Sequence, residues 1–174
     1  LLPLLISIYF LLAGLFVILK SPKSVLNRTF SILCFSTSIW QFLWAILFSL
    51  QSEAYASLIV KLGYLNIVFL PVFYYHFAIT ISDSKLDKKY LPLTYATFSI
   101  FALFLGFSDL FIEGYHSFFW GYYPKAGFLH PVYLFCLNIV ALRSLYIIYQ
   151  NYKQLTSDQL SNKPLGYVIV ALFI

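Results

Sequence analysis

Charged side chains are scarce in this sequence. Lysine, arginine, aspartate and glutamate make up 10% of its 174 residues, whereas hydrophobic residues make up 61%. A water-soluble domain usually carries charge at about a quarter of its positions, so a soluble enzyme and a disordered tail are both excluded. Cysteine is equally scarce, with two residues, which excludes a secreted module held together by disulfides. The class that remains is an integral membrane protein.

Catalytic and cofactor motifs are missing as well. The sequence contains no HExxH, GxGxxG, phosphate-binding loop or CxxC, so we expect no catalytic centre, no metal and no cofactor. Every acidic residue falls in or beside a predicted loop, which argues against a proton-coupled transporter with carboxylates at membrane depth. The net charge of +5 is spread over short clusters between apolar runs. That pattern is typical of membrane orientation, and we expect no nucleic acid partner.

Long apolar runs are what the sequence does contain. A membrane helix needs roughly 20 mostly apolar residues, and these runs are too long and too continuous for the strands of a barrel. The sequence therefore predicts an all-α polytopic transmembrane bundle forming one domain over 1–174. Because the chain begins inside an apolar run and its last run is incomplete, we interpret it as a fragment of a seven-helix bundle. The predicted spans are about 1–19, 29–50, 57–81, 91–107, 131–149 and 165–174, the last one incomplete.

The basic residues alternate between connections. Segments 20–28, 82–90 and 150–164 carry most of the lysines and arginines, whereas the other two connections carry few. Basic loops stay on the cytoplasmic side of a membrane. The sequence therefore predicts a multi-pass protein of the inner (plasma) membrane whose amino end is extracytoplasmic and whose three basic segments are cytoplasmic.

Two of the predicted spans contain polar residues for which both a functional and a packing role can be considered. In the second span, small and polar residues share one helical face, for which a packing seam is favoured over a ligand groove; these residues are Ser31, Cys34, Ser38, Gln41 and Ala45. In the third span, Asn66 and His76 flank Pro71, which should kink the helix and free a carbonyl one turn earlier. Pro71 is a candidate hinge, and Asn66 and His76 are candidate sensing residues, although hydrogen bonding within the bundle is the favoured alternative.

The connection between the fourth and fifth spans is rich in aromatic residues. Asp109, Glu113 and His116 recur at spacings of four and three, which predicts a short helix lying in the membrane interface. A metal site formed by these three residues is conceivable but disfavoured. The aromatic residues form either a lid over an outward-facing pocket or an interfacial belt, the belt being somewhat favoured. For the lid, the candidate ligand-sensing residues are His116, Trp120, Tyr122 and Tyr123.

Several segments together resemble a known family. They are the segment at 20–30 (KSPKSVLNRTF), Trp40, Gly63, Pro71, the segment at 75–78 (YHFA), and the segment at 120–127 (WGYYPKAG). With these segments in this order, the chain resembles the N-terminal seven-transmembrane sensor region of bacterial membrane histidine kinases. The resemblance implies an outward amino end and an inward carboxyl end, which agrees with the orientation predicted from the charges.

The resemblance also implies a function. It implies a sensory input domain in the lipid bilayer that relays an extracytoplasmic or intramembrane signal to a cytoplasmic kinase or other output domain of the same parent protein. Its implied partners are a small ligand of unknown identity and, for a kinase, a second copy in a homodimer. The alternative from another class is a small-solute transporter or channel subunit, although no internal repeat of the kind common in transporters is evident. A membrane-embedded enzyme is the third possibility, and it lacks the clustered histidines or acids it would need.

Overall fold

The computed structural model describes residues 1–50 and 52–154. Five long helices and one β-hairpin make up this part of the chain, and all five helices are long and apolar enough to cross a membrane. The predicted helical bundle is therefore confirmed, while the predicted span at 165–174 lies outside the described residues. In chain order the elements are α1 (Leu2–Lys20), α2 (Val25–Leu47), α3 (Glu53–Ser82), α4 (Lys85–Phe107), β1 (Ile112–Phe118), β2 (Gly121–Ala126) and α5 (Leu129–Gln154).

Helix α3 is the centre of the bundle. It packs against α2, α4 and α5, whereas α1 packs against α2. The main core lies along α3 and includes Val68 and Val72, which are fully buried, together with Phe98 and Phe101 of α4 and Tyr133 of α5. Because successive helices run in opposite directions, the bundle has two distinct ends.

We name the two ends by what they carry. The hairpin end holds the α2–α3 connection, the hairpin and the start of α5. The basic end holds the α1–α2 and α3–α4 connections and the last turns of α5. Its described basic residues are Lys20, Lys23, Arg28, Lys85, Lys88, Lys89 and Lys153.

Serine side chains join α1 to α2. Ser7 and Ser38 each donate a hydroxyl hydrogen bond to the other's carbonyl oxygen, at 2.9 and 2.8 Å. The Ser31 hydroxyl donates to the Gly14 carbonyl at 2.9 Å. Ser31, Ser38 and Cys34 are all buried at this contact. Small polar residues let membrane helices approach closely and bond across the interface, so this part of the α2 face is a packing seam.

The helices begin and end at other residues than the apolar runs do. Helix α4 begins at Lys85 instead of 91, because the Ser84 hydroxyl accepts a hydrogen bond from the Asp87 amide and caps the helix. Ser24 caps α2 in the same way through the amide of Asn27, so that α2 begins at Val25 instead of 29. The predicted connection at 82–90 therefore shrinks to two residues. Apolar composition marks the part of a helix in hydrocarbon, whereas the polar cap sets where the helix begins.

Pro71 lies inside α3 without breaking it. Proline has no amide hydrogen, so the carbonyl of Ile67, four residues earlier, loses its partner within the helix. The hydroxyl of Tyr133, on α5, donates a hydrogen bond to that carbonyl at 2.9 Å. The sequence predicted a freed carbonyl here, and its partner is a buried side chain from a neighbouring helix. This contact fixes α5 to the middle of α3.

The link between Pro71 and Tyr133 is testable by a double-mutant cycle. Tyr133→Phe should lower the free energy of unfolding by about 0.6 kcal/mol and by no more than about 1.7 kcal/mol, the average and the maximum measured for hydrogen bonds between membrane helices. In a Pro71→Ala background the restored backbone amide of residue 71 can donate to the Ile67 carbonyl, so Tyr133→Phe should cost less. Unfolding in mixed micelles measures both, with Tyr9→Phe on the exposed face of α1 as the control. An equal cost in both backgrounds would contradict the proposed pairing.

Candidate functional site

The connection between α4 and α5 is a β-hairpin, so the predicted interfacial helix is wrong. Strands β1 and β2 pair antiparallel, with Phe118 opposite Gly121 and a two-residue turn at Phe119 and Trp120. Tyrosine, phenylalanine and isoleucine favour strands, and Pro124 and the glycines disfavour a helix. Asp109 lies outside the strands, while Glu113 pairs with Lys125 at 3.5 Å. The spacing of Asp109, Glu113 and His116 therefore does not define a helical face.

The hairpin lies across the end of the bundle and contacts several helices. Just before β1, Phe111 is fully buried and its ring packs against Tyr64 of α3 and Tyr133 of α5. In the middle of β1, the Tyr115 hydroxyl donates a hydrogen bond to the Ser57 hydroxyl on α3 at 3.0 Å. At the tip, the rings of Trp120 and Phe48, next to the end of α2, meet edge to face at 5.2 Å. The hairpin thus connects α5, α3 and α2.

Gly121 allows the tip to lie directly on α2. Its φ is +127°, a conformation that side chains with a β-carbon rarely adopt. A β-carbon at this position would lie 2.9 Å from the Leu47 carbonyl oxygen and 3.0 Å from the Phe48 Cα. The tip backbone therefore contacts the last residues of α2 without an intervening side chain.

The four candidate residues of the hairpin divide between two locations. Trp120 and Tyr122 line a cavity of about 300 Å³ between the tip and the end of α2; the other lining residues are Phe48, Ser49, Leu50, Ser117, Phe118, Phe119 and Gly121. His116 pairs with Tyr123 in the antiparallel sheet, and the next pair toward the turn is Ser117 with Tyr122. Successive residues of a strand point to opposite faces, so His116 and Tyr123 lie on the face opposite that of Ser117 and Tyr122.

The candidates in α3 lie apart from the hairpin cavity. The Asn66 side chain donates to the Leu62 carbonyl of its own helix, at 3.0 Å, whereas the backbone carbonyl of Asn66 accepts from the Ser36 hydroxyl of α2 at 3.4 Å. The Nδ1 atom of His76 is 3.1 Å from the hydroxyl of Tyr95 on α4. Both residues thus take part in polar contacts between neighbouring helices. Within the part of the chain that the structure describes, no three His, Cys, Asp or Glu residues come together to hold a metal ion.

The most strongly bonded polar cluster is one that the sequence did not reveal. It centres on Asp87, in the first turn of α4, whose residue surface is 2% exposed. Arg143 of α5 donates to both carboxylate oxygens, from Nε at 2.8 Å and from Nη2 at 3.0 Å. Tyr75 of α3 donates from its hydroxyl at 2.8 Å, and Ser84 donates at 2.6 Å. We call Tyr75, Ser84, Asp87 and Arg143 the basic-end network.

The network ties together the three helices at the basic end. A buried carboxylate needs both an opposite charge and hydrogen-bond donors, and the guanidinium supplies a two-bond fork that fits the carboxylate. The guanidinium also lies 5.3 Å from the centre of the Tyr146 ring. Arg143 lies within the predicted span 131–149, and its charge is paired inside the bundle. Its partner was missed because Asp87 was assigned to a loop.

A second ion pair lies nearby but is exposed, unlike the buried carboxylate of Asp87. Lys88 donates to Asp83 at 2.6 Å, yet their side chains are 52% and 78% exposed. The hydrogen bond from Lys88 and its charge hold the pKa of the Asp83 carboxyl below its usual value. Water screens such pairs, so this contact stabilises the fold little.

Comparison with known proteins identifies a family. The family model described as the N-terminal 7TM region of histidine kinase covers residues 2–174. No curated protein and no solved structure matches the chain significantly.

The basic-end network predicts unequal effects of two charge-removing substitutions. Arg143→Gln leaves a buried carboxylate without its counter-ion and should lower the free energy of unfolding by about 3 kcal/mol. Lys88→Gln removes a pair that is shorter, at 2.6 Å, but exposed, and it should cost much less because water screens the two charges. Unfolding of the purified protein in mixed micelles measures both. An equal loss of unfolding free energy in the two variants would show that burial of Asp87 does not make its ion pair more important for stability.

Proposed function

The chain belongs to the family of N-terminal seven-transmembrane regions of histidine kinases, and we propose that it is the sensory input domain of a signalling kinase. In this proposal it receives an extracytoplasmic or intramembrane signal and relays it to a cytoplasmic output domain of the same protein. The region itself is not catalytic, since phosphoryl transfer belongs to the kinase portion of such proteins. A homodimer of the parent kinase is part of the proposal.

The observation that carries the proposal is that α3 is engaged at both of its ends. At the hairpin end, Ser57 accepts the hydrogen bond from Tyr115 of the hairpin. At the basic end, Tyr75 donates to Asp87 of the basic-end network. These residues are 18 positions apart, or about 27 Å along a helix. A displacement of α3 at one end would therefore change contacts at the other.

The proposed orientation places the hairpin end outside and the basic end in the cytoplasm. Two helix connections, together with the last turn of α5, carry basic residues at one end of the bundle, and the bias of lysine and arginine sets orientation. The same orientation puts the basic-end network next to the cytoplasmic output domain. The proposed membrane is the inner (plasma) membrane of a bacterium.

We place the first contact of the signal at the hairpin cavity lined by Trp120 and Tyr122. His116 and Tyr123, on the other face of the hairpin, are proposed as secondary contacts. A ligand can shift the bundle only if it binds two arrangements with different affinity. The cavity lies between the hairpin and the end of α2, so an occupant would change how the hairpin rests on α2 and α3.

Pro71, Asn66 and His76 are proposed to act along the path. Pro71 is the candidate hinge, because the segment around it lacks one helical hydrogen bond and relies on Tyr133 instead. Asn66 and His76 contact α2 and α4 through Ser36 and Tyr95, so they would register a shift of α3 against its neighbours.

The orientation can be tested with reporter fusions. Alkaline phosphatase is active only outside the cytoplasm, and green fluorescent protein exported through the general secretory pathway does not fluoresce. A fusion after Lys89 should fluoresce and lack phosphatase activity, whereas a fusion after Gly127 should give the reverse. Exchange of the two outcomes would overturn the orientation.

The signalling role can be tested on the full-length protein in liposomes. Trp120→Ala and Tyr122→Ala should change the level of autophosphorylation, because both side chains line the hairpin cavity. Tyr9→Ala on the exposed face of α1 removes the same side chain as Tyr122→Ala and should leave the level of autophosphorylation unchanged. Membrane insertion is measured in parallel. Unchanged output in both cavity variants, with normal insertion, would refute signal reception at this site.

A further inference from the structure

The tip of the hairpin leaves aromatic surface uncovered. Phe119 is the first residue of the turn, and its relative exposure is 101%. Beside it, the rings of Phe118 and Trp120 stack at 4.8 Å with an angle of 5° between their planes, and both remain more than a third exposed. An exposed aromatic group of this size indicates an interaction surface.

The end of α2 defines the level of the tip relative to the bilayer. Helix α2 has 23 residues and is about 35 Å long, slightly longer than the ~30 Å hydrocarbon layer. Its last residue, Leu47, therefore lies near the boundary between hydrocarbon and headgroups. The backbone at Gly121 rests on Leu47 and Phe48. The tip consequently lies at the depth of the headgroup layer.

The position of the tip within the bundle also favours lipid as its neighbour. The hairpin begins over the buried contact of Phe111 with α3 and α5 and crosses α3 at Ser57 before it reaches α2. Its turn therefore points to the rim of the bundle on the α2 side. The apolar surfaces of α1 and α2 that face lipid continue up to this rim.

The chemistry of the tip matches the bilayer interface. Residues 117–124 (SFFWGYYP) contain no charged side chain. Tryptophan, tyrosine and phenylalanine place their rings among the glycerol and headgroup groups of a membrane, where the apolar ring and the polar atom are both accommodated. A charged partner surface would find no counterpart here.

We propose that the hairpin tip, Phe118–Trp120, is a membrane-docking element that inserts Phe119 into the phospholipid interface beside α2. The partner is the lipid surface itself, and the contact holds the outer end of the hairpin against the leaflet that surrounds the bundle. The docking element shares Trp120 with the proposed signal cavity, but the inference concerns where the tip lies, and its test measures lipid contact instead of kinase output.

Photocrosslinking provides the test with the least change to the chain. Benzoylphenylalanine in place of Phe119, in protein reconstituted into phosphatidylcholine vesicles, should form a phospholipid adduct that mass spectrometry detects. The matched control is the same residue in place of Tyr123, an exposed aromatic position on the hairpin face opposite that of Tyr122. It should give several-fold less lipid adduct.

The competing outcomes are distinct. Equal lipid adducts at the two positions, or none at Phe119, would overturn the docking proposal, and so would a protein adduct to a second copy. Replacing part of the phosphatidylcholine with phosphatidylglycerol should leave the yield unchanged, because the tip is uncharged. A strong dependence on the anionic lipid would contradict docking by an uncharged tip.

A second measurement guards against disturbance by the bulky crosslinker. An environment-sensitive fluorophore on Phe119→Cys should be quenched several-fold more by nitroxide lipids than the same fluorophore on Lys125→Cys, in a background with Cys34 and Cys136 replaced by alanine. Lys125 is exposed on β2 and forms an ion pair with Glu113 in water. Equal quenching at both sites would refute insertion of the tip, whatever the kinase output.

Discussion

A backbone carbonyl or a carboxylate buried inside a helix bundle has no water to bond to, and this constraint accounts for the two most specific contacts of the bundle. Pro71 removes a donor from α3, and Tyr133 of α5 supplies the replacement. Asp87 is buried at the start of α4, and Arg143 of α5 neutralises it. Each contact joins helices that are distant in the sequence. Apolar packing brings α3, α4 and α5 together, whereas these two contacts determine how they are arranged relative to one another.

The sequence predicted the parts of the fold that depend on local composition. The five apolar helices follow from run length, and the freed carbonyl before Pro71 follows from the chemistry of proline. Helices α2 and α4 begin earlier than the apolar runs because Ser24 and Ser84 cap them within polar stretches. The hairpin was missed because Asp109, Glu113 and His116 fit a helical spacing, whereas strand pairing and the burial of Phe111 against α3 and α5 decide the conformation. Such contacts are not visible in local sequence.

The arrangement of the candidate site residues could be predicted only in part, because it too depends on contacts that local sequence does not show. Trp120 and Tyr122 do line one cavity, because both belong to the aromatic segment that forms the tip. Alternation along the strands separates His116 and Tyr123 from them, and a helical model could not have indicated this. Asp87 and Arg143 are 56 positions apart, and no sequence pattern joins them. The available signal was an arginine within an apolar run, which requires a counter-ion somewhere in the bundle.

The length of α3 has a consequence for how the bundle fits its surroundings. The apolar part of α3, residues 57–81 of the 30-residue helix, is about 37 Å long, about 7 Å more than the hydrocarbon layer it crosses. Such hydrophobic mismatch is accommodated by tilting, and the tilt depends on bilayer thickness. A thinner membrane would incline α3 further and a thicker one would make it more upright. Lipid chain length is therefore a physical variable to which this helix responds without any bound molecule.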